Sequence, residues 1–300
     1  MENEKSAGAA CAGREARELR GAPVAKAICE ALAPCVERLA DAGVTPRLAI
    51  VRVGEGAGEL AYERGARSRM AKVGCGVQTS ALASGISQDE LERTLRELAD
   101  SPAVHGILMM RPLPAGLDEA AAIACVPAAK DVDGMTTGSL AATFSGAGEG
   151  FAPCTAEAVV RLLEHYEVPL AGARVAVLGR SLVVGRPVAQ LLLARNATVA
   201  VCHSGTRDLA TEARRAEVLV SCMGRAHAVT ADMVSPGAVV VDVGTNDDGN
   251  GGITGDVDFA AVSQVAAAVT PVPRGVGSVT TSVLAEHVVA AAERALAAGR

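Results

Sequence analysis

The stretch Val175-Ala176-Val177-Leu178-Gly179-Arg180-Ser181-Leu182-Val183-Val184-Gly185-Arg186-Pro187 decides the fold. It reads as a buried strand, a glycine turn at the strand's end, and a helix opened by a proline after a glycine. Glycine at 179 lets the chain turn sharply, and glycine at 185 permits close backbone approach. Helix N–H groups and the positive end of the helix dipole can then face a pyrophosphate. The spacing is not G-x-G-x-x-G, so an ordinary strand-to-helix turn is the competing reading, and the surroundings favour the nucleotide one.

A site for NAD would place an Asp or Glu at the end of the next strand. The segment Thr198-Val199-Ala200-Val201-Cys202-His203-Ser204-Gly205-Thr206-Arg207 offers none. Arg180, Ser204 and Arg207 instead suit a 2′-phosphate, because guanidinium groups match phosphate geometry, and NADP is the expected cofactor. Arg207 reads equally well as a solvated loop charge. Two later turns, Ser221-Cys222-Met223-Gly224 and Val241-Asp242-Val243-Gly244-Thr245-Asn246, follow apolar strands and are candidates for the nicotinamide side. Asp242 is either a contact there or a turn-former. The expected cofactor contacts are Gly179, Arg180, Ser181, Val184, Gly185, Ser204, Arg207, Gly244 and Thr245.

Outward from this turn, strands and helices alternate along most of the 300 residues. A helix over 22–42 is followed by a strand at 47–53, a helix at about 57–73, a strand near 76–82, a helix at 87–100 and a strand at 104–110. After Phe151-Ala152-Pro153-Cys154 a helix at 155–166 opens a second alternation, with strands at 173–179, 197–202, 217–222, 238–243 and about 267–270, then a helix at about 279–298. Such alternation predicts parallel sheets flanked by helices. The expected architecture is α/β in two domains, 1–155 plus 280–300 and 156–279, the second Rossmann-like. Residues 1 to about 15 are polar and expected to be poorly ordered, and the Gly-rich 248–255 reads as an exposed turn.

Composition fits this architecture. Half the residues are apolar, with two Tyr, three Phe and no Trp, so the core is built from small and branched side chains. Eight cysteines at irregular spacings without C-x-x-C argue against zinc or a disulfide framework, and the scattered histidines predict no metal. A net charge of −6 without a basic cluster disfavours nucleic acid. No apolar run is long enough for a membrane span and no hydrophobic signal segment follows the acidic start, so the expected compartment is the cytoplasm.

Several ordered motifs together resemble one family, the bifunctional methylenetetrahydrofolate dehydrogenase/methenyltetrahydrofolate cyclohydrolases. They are Gly-Ile-Leu-Met-Met-Arg-Pro-Leu-Pro-Ala-Gly-Leu at 106–117, Lys-Asp-Val-Asp-Gly at 130–134, Pro-Cys-Thr at 153–155, Gly-Arg-Ser-x-x-Val-Gly-Arg-Pro at 179–187, Val-Asp-Val-Gly at 241–244 and Thr-Pro-Val-Pro-Arg-Gly-Val-Gly-Ser-Val-Thr at 270–280. The resemblance implies a tetrahydrofolate derivative bound in a cleft between the domains, hydride passing from its one-carbon bridge to NADP, then attack of water on the methenyl product. It implies a homodimer through the second domain. By carry-over, Tyr62, Asp131 and Asp133 are the catalytic candidates, one aspartate accepting from the pterin amino group and ring N–H. Pro112, Leu113, Pro114, Pro273, Gly275 and Gly277 join Tyr62 and Asp133 on the substrate side, although Tyr62 also reads as packing.

The departures from the family are as informative. The hydrolytic step uses a lysine four residues after the tyrosine as a proton shuttle, and a glutamine before Leu-Pro-Leu-Pro that tunes it. Here those positions are Ala66 and Met110, and Arg111 replaces the next apolar residue. Glu59 stands for a small hydroxyl residue, Arg274 for glycine and Ser278 for proline. Arg64 and Arg67 stay protonated and make poor shuttles. The expectation is an NADP-dependent methylenetetrahydrofolate dehydrogenase with weak or absent cyclohydrolase activity. The alternative is a non-catalytic member that binds nucleotide or folate in a regulatory or interaction role, and the intact nucleotide turn favours the enzyme.

Overall fold

The computed structural model describes residues 15–299, so the expectation for the polar N-terminal stretch lies outside the described residues. The chain divides into two compact units, residues 22–158 with 278–299 and residues 15–21 with 159–277. A two-residue strand, β1 (Arg17–Glu18), belongs to the second of these.

In the first unit α1 (Gly21–Asp41) leads into β2 (Arg47–Val53), α2 (Ala57–Val73), β3 (Gly76–Leu82), α3 (Gln88–Asp100) and β4 (Gly106–Met109). The three strands form a parallel sheet in the order β3-β2-β4. Parallel neighbours need crossovers, and α2 and α3 supply them. On α3 the buried Leu91, Leu95 and Leu98 recur at helical spacing and pack with Ala49, Val51 and Val53, alternate residues of β2. The intervening residues Leu48, Ile50 and Arg52 therefore face the other side of the sheet, where α2 lies. Ser87 caps α3 by accepting from the Glu90 amide at 3.3 Å. Gly74 ends α2 in the left-handed conformation.

Two short helices of this unit have no counterpart in the sequence reading: α4 (Glu119–Ala124), capped by Asp118, and α5 (Thr137–Ser145), capped by Thr136. Their Ala-rich runs are too short for an apolar period to show, and the caps were the only signal.

Next, α6 (Cys154–His165) leads to β5 (Arg174–Leu178), α7 (Gly185–Leu193), β6 (Thr198–Cys202), α8 (Leu209–Arg214), β7 (Val218–Ser221) and β8 (Val239–Asp242). The hairpin β9 (Asn246–Asp247) and β10 (Ile253–Thr254) then reverses through the exposed glycine-rich turn, before α9 (Phe259–Val262), β11 (Ala268–Val269) and α10 (Gly277–Ala297). Six strands form one parallel sheet ordered β1-β11-β8-β7-β5-β6. The order reverses at β5, from which the chain goes first to β6 on one side and then to β7 on the other. That is the switch point where an open α/β sheet binds ligands at its carboxyl edge, and the turn quoted above follows β5. β6 is an edge strand with Thr198, Ala200 and Val201 exposed.

Through α10 the chain returns to the first unit, burying Val279, Val283, Leu284 and Val288. A Cβ on Gly106 of β4 would stand 2.6 Å from Val132 and 3.1 Å from Val288, so that glycine admits both. No helix among the described residues is long and apolar enough to cross a membrane. The described cysteines are unpaired thiols.

Candidate active site

The turn after β5 is built by sterics. Gly179 sits at φ 133°, and a Cβ there would lie 2.5 Å from the Cys222 carbonyl oxygen beyond β7; a Cβ on Gly185 would collide with the Gly179 carbonyl. Only glycine fits either place. The Ser181 Oγ accepts from the Val184 and Gly185 amides at 3.1 and 3.4 Å, fixing the entry to α7, and Arg186 Nε donates to the Arg180 carbonyl at 3.1 Å.

Leu178 and Cys202 are register partners, so Gly179 and Arg180 lie beside His203 and Ser204. The Arg180, Ser204 and Arg207 side chains are exposed, and neither arginine enters an ion pair among the described residues. The amide of His203 donates to Thr206 Oγ1 at 2.9 Å, closing the turn that presents Ser204. Arg180 and Ser204 thus stand at the ends of β5 and β6, and Arg207 follows in the next turn beside Asp208, whose carboxylate is engaged in capping α8 through the Thr211 amide. The two cations and the hydroxyl are a donor set that fits a phosphate beside the ribose.

The turns after β7 and β8 are held by two buried aspartates. Asp242 accepts from the amides of Gly244, Asp256 and Val257 at 2.9 to 3.0 Å; burial still pushes its carboxyl up, to about 6. It is the turn-former of the two readings. Asp256, which the sequence reading missed, accepts from Ser221 Oγ, from the amides of Met223, Gly224 and Arg225, and from Asn246 Nδ2. Gly244 packs against it, because a Cβ there would meet the Asp256 carboxylate, and leaves Thr245 exposed. Gly275 is buried in the loop before α10, while Pro273 and Gly277 are exposed; Arg274 between them adopts φ 88°.

In the first unit a second constellation forms at the loops after β4 and α4. Asp131 is fully buried, its oxygens accepting from the Met135 and Thr136 amides at 3.0 and 2.7 Å. It closes a turn in which Gly134, at φ 66°, lies so near Ala152 and Pro153 that a Cβ would stand 2.5 Å from the Pro153 nitrogen. That contact joins Lys-Asp-Val-Asp-Gly to Pro-Cys-Thr. Asp133 is half-buried, and burial raises its carboxyl to about 6, against the opposing pull of Arg111. Tyr62 on α2 is close enough to Asp133 for that charge to add to burial in holding its phenol protonated. Burial and Asp133 likewise keep the Cys154 thiol protonated, and its Sγ lies 3.1 Å from the Val132 carbonyl.

The flanking positions hold the two residues the sequence reading singled out, together with pairings it did not foresee. Ala66 is fully buried and Met110 nearly so, so neither presents a proton-transfer group. Arg111 reaches Asp133 and Glu119, and Glu119 also accepts from the Leu113 amide at 3.3 Å, which ties α4 to Pro112-Leu113-Pro114. Of the charges on α2, Glu63 pairs with Arg52 at 3.1 Å and takes a hydrogen bond from Thr79, which Arg67 in turn bonds. Lys130 donates to the Ala99 and Ser101 carbonyls at 2.7 Å and is occupied in ending α3.

Residues 19–133 match the family model described as tetrahydrofolate dehydrogenase/cyclohydrolase, catalytic domain, and 153–296 the model for its NAD(P)-binding domain. A "Bifunctional protein FolD" of Parafrankia is 49% identical over 276 residues, 92% of this chain and 99% of its own. The crystal structure of the bifunctional FolD enzyme from Campylobacter jejuni superposes with TM-score 0.89 at 35% identity, covering 92% of this chain and 98% of that one. The Trypanosoma brucei methylenetetrahydrofolate dehydrogenase-cyclohydrolase, complexed with NADP and an inhibitor, gives TM-score 0.89 at 34% identity over 94% of this chain and 99% of that one.

Proposed function

Because the chain belongs to the tetrahydrofolate dehydrogenase/cyclohydrolase family, we propose that it oxidises 5,10-methylenetetrahydrofolate to the 5,10-methenyl form with NADP and hydrolyses that product weakly or not at all. NADP supplies the hydride acceptor. The observation that carries the reading is the pair Ala66 and Met110: both are buried, and neither side chain can take or give a proton. Hydride transfer needs chiefly positioning of the two reactants, whereas hydrolysis needs general acid–base help worth about a hundred- to ten-thousandfold in rate.

In this reading Arg180, Ser204 and Arg207 hold the 2′-phosphate, and the amides around Ser181, Val184 and Gly185 face the pyrophosphate. Gly244 and Thr245 line the nicotinamide side. Asp133 accepts from the pterin ring and Tyr62 packs against it. Pro112, Leu113, Pro114, Pro273, Gly275 and Gly277 shape the substrate's surroundings. Asp131 supports them by holding its turn. The open edge of β6 supports a homodimer through the second unit.

The test supplies methylenetetrahydrofolate with NADP and follows reduced cofactor and methenyl product separately. Methenyl product should accumulate in step with reduced cofactor. Binding without reduction of either NADP or NAD would favour a non-catalytic regulatory member, and methenyl consumption well above the spontaneous rate would overturn the loss of hydrolysis. Ala66→Lys with Met110→Gln is expected to raise hydrolysis by about a hundred- to ten-thousandfold.

A further inference from the structure

Arg111 is a cation with unused donors. It follows β4, and its side chain is 20% exposed, as is that of Asp133. Its terminal nitrogens lie 3.5 Å from Asp133 Oδ2 and 3.8 Å from Glu119 Oε1. Both separations exceed the length of a direct hydrogen bond, and its Nε is buried with no partner at all. A guanidinium carries five N–H donors in a rigid fork, and burying such donors unpaired costs free energy. The two carboxylates thus hold the charge in place without satisfying its hydrogen bonds.

Side by side, Asp133 accepts and Arg111 donates. A ligand edge that offers two donors followed by an acceptor complements that pair. The pterin ring of a folate has this edge in its 2-amino group, ring N–H and 4-oxo group. We propose that Arg111 is a specificity-determining residue that donates to the 4-oxo oxygen of the folate ring while Asp133 takes the neighbouring N–H groups. The inference rests on the folate reading above and extends it to a residue standing where the family has an apolar side chain. Arg111 is always charged and cannot shuttle a proton, so it restores recognition at this edge without restoring hydrolysis.

A 4-amino analogue separates this role from a structural one, since a guanidinium cannot donate to an amino group. Binding of folic acid and of its 4-amino counterpart is measured by calorimetry on the unmodified protein, Arg111→Met and Arg111→Lys, with thermal melts recorded for each. The unmodified protein is expected to prefer the 4-oxo ligand. Arg111→Met should lose about 10- to 100-fold in affinity for it and change little toward the 4-amino ligand. Arg111→Lys, which keeps the charge and loses the fork, should fall between. Equal losses for both ligands in both variants, or no loss for either, would overturn the role of Arg111 while leaving folate binding intact. Failure of the unmodified protein to bind either ligand would overturn the folate reading itself, and this inference with it.

Discussion

At the scale of single residues, Asp133 is expected to set a pH dependence. Burial, helped by the charge of Asp131, outweighs the opposing pull of Arg111, Cys154 and His287 and raises its carboxyl to about 6, with Tyr62 lying near it. A carboxylate accepts from two N–H groups, whereas the protonated acid brings a donor into the same place. As pH falls through about 6, kcat/KM for methylenetetrahydrofolate should therefore drop, tending to tenfold per unit. In Arg111→Met the break should move to higher pH, because the guanidinium lowers this carboxyl's affinity for protons. A profile flat from pH 5 to 8 would refute the assignment. Gly179 is the second residue of consequence. Gly179→Ala places a methyl against the Cys222 carbonyl at a φ that L-residues avoid, and should cost about 1–3 kcal/mol in urea unfolding as well as weaken NADP binding.

Between elements, α2 is joined to β2 by the Arg52–Glu63 pair, whose side chains are 9% and 12% exposed. Arg52 also donates to the Gly54 carbonyl. Removing one partner of a buried pair leaves a desolvated charge, so Glu63→Val alone should destabilise by about 3–5 kcal/mol. The double change Arg52→Leu with Glu63→Val should return close to the starting stability, as read by denaturant midpoints. Elements were largely legible in the sequence where the apolar period was long: Leu91, Leu95 and Leu98 announce α3, and Val175 to Leu178 announce β5. They were illegible where a partner remote in sequence decides the matter. β1 forms only because β11 offers its edge, and α4 and α5 are shorter than the period that would reveal them. The site divides the same way. The glycine turn and the residues Ala66 and Met110 are local patterns, but the pairing of Arg111 with Asp133 and Glu119, the collection of amides by Asp256, and the Arg52–Glu63 bond all depend on chain proximity that spacing does not encode.

For the whole molecule, the exposed edge of β6, with Val201 40% exposed and Leu193 56% exposed nearby in sequence, is the face expected to pair in a homodimer. Val201→Lys should shift sedimentation toward the monomer, since charge on an edge strand blocks edge-to-edge pairing. An unchanged dimer would place the interface elsewhere. The excursion of the chain through the second unit before α10 returns has a consequence for biosynthesis. The helix that covers β4 and bonds the Val132 carbonyl through His287 leaves the ribosome after all of the second unit's sheet. The unit whose strands are made first is therefore the one completed last, and a released fragment ending at residue 277 should hold a finished second unit while the first unit, lacking its closing helix, stays open to chaperones.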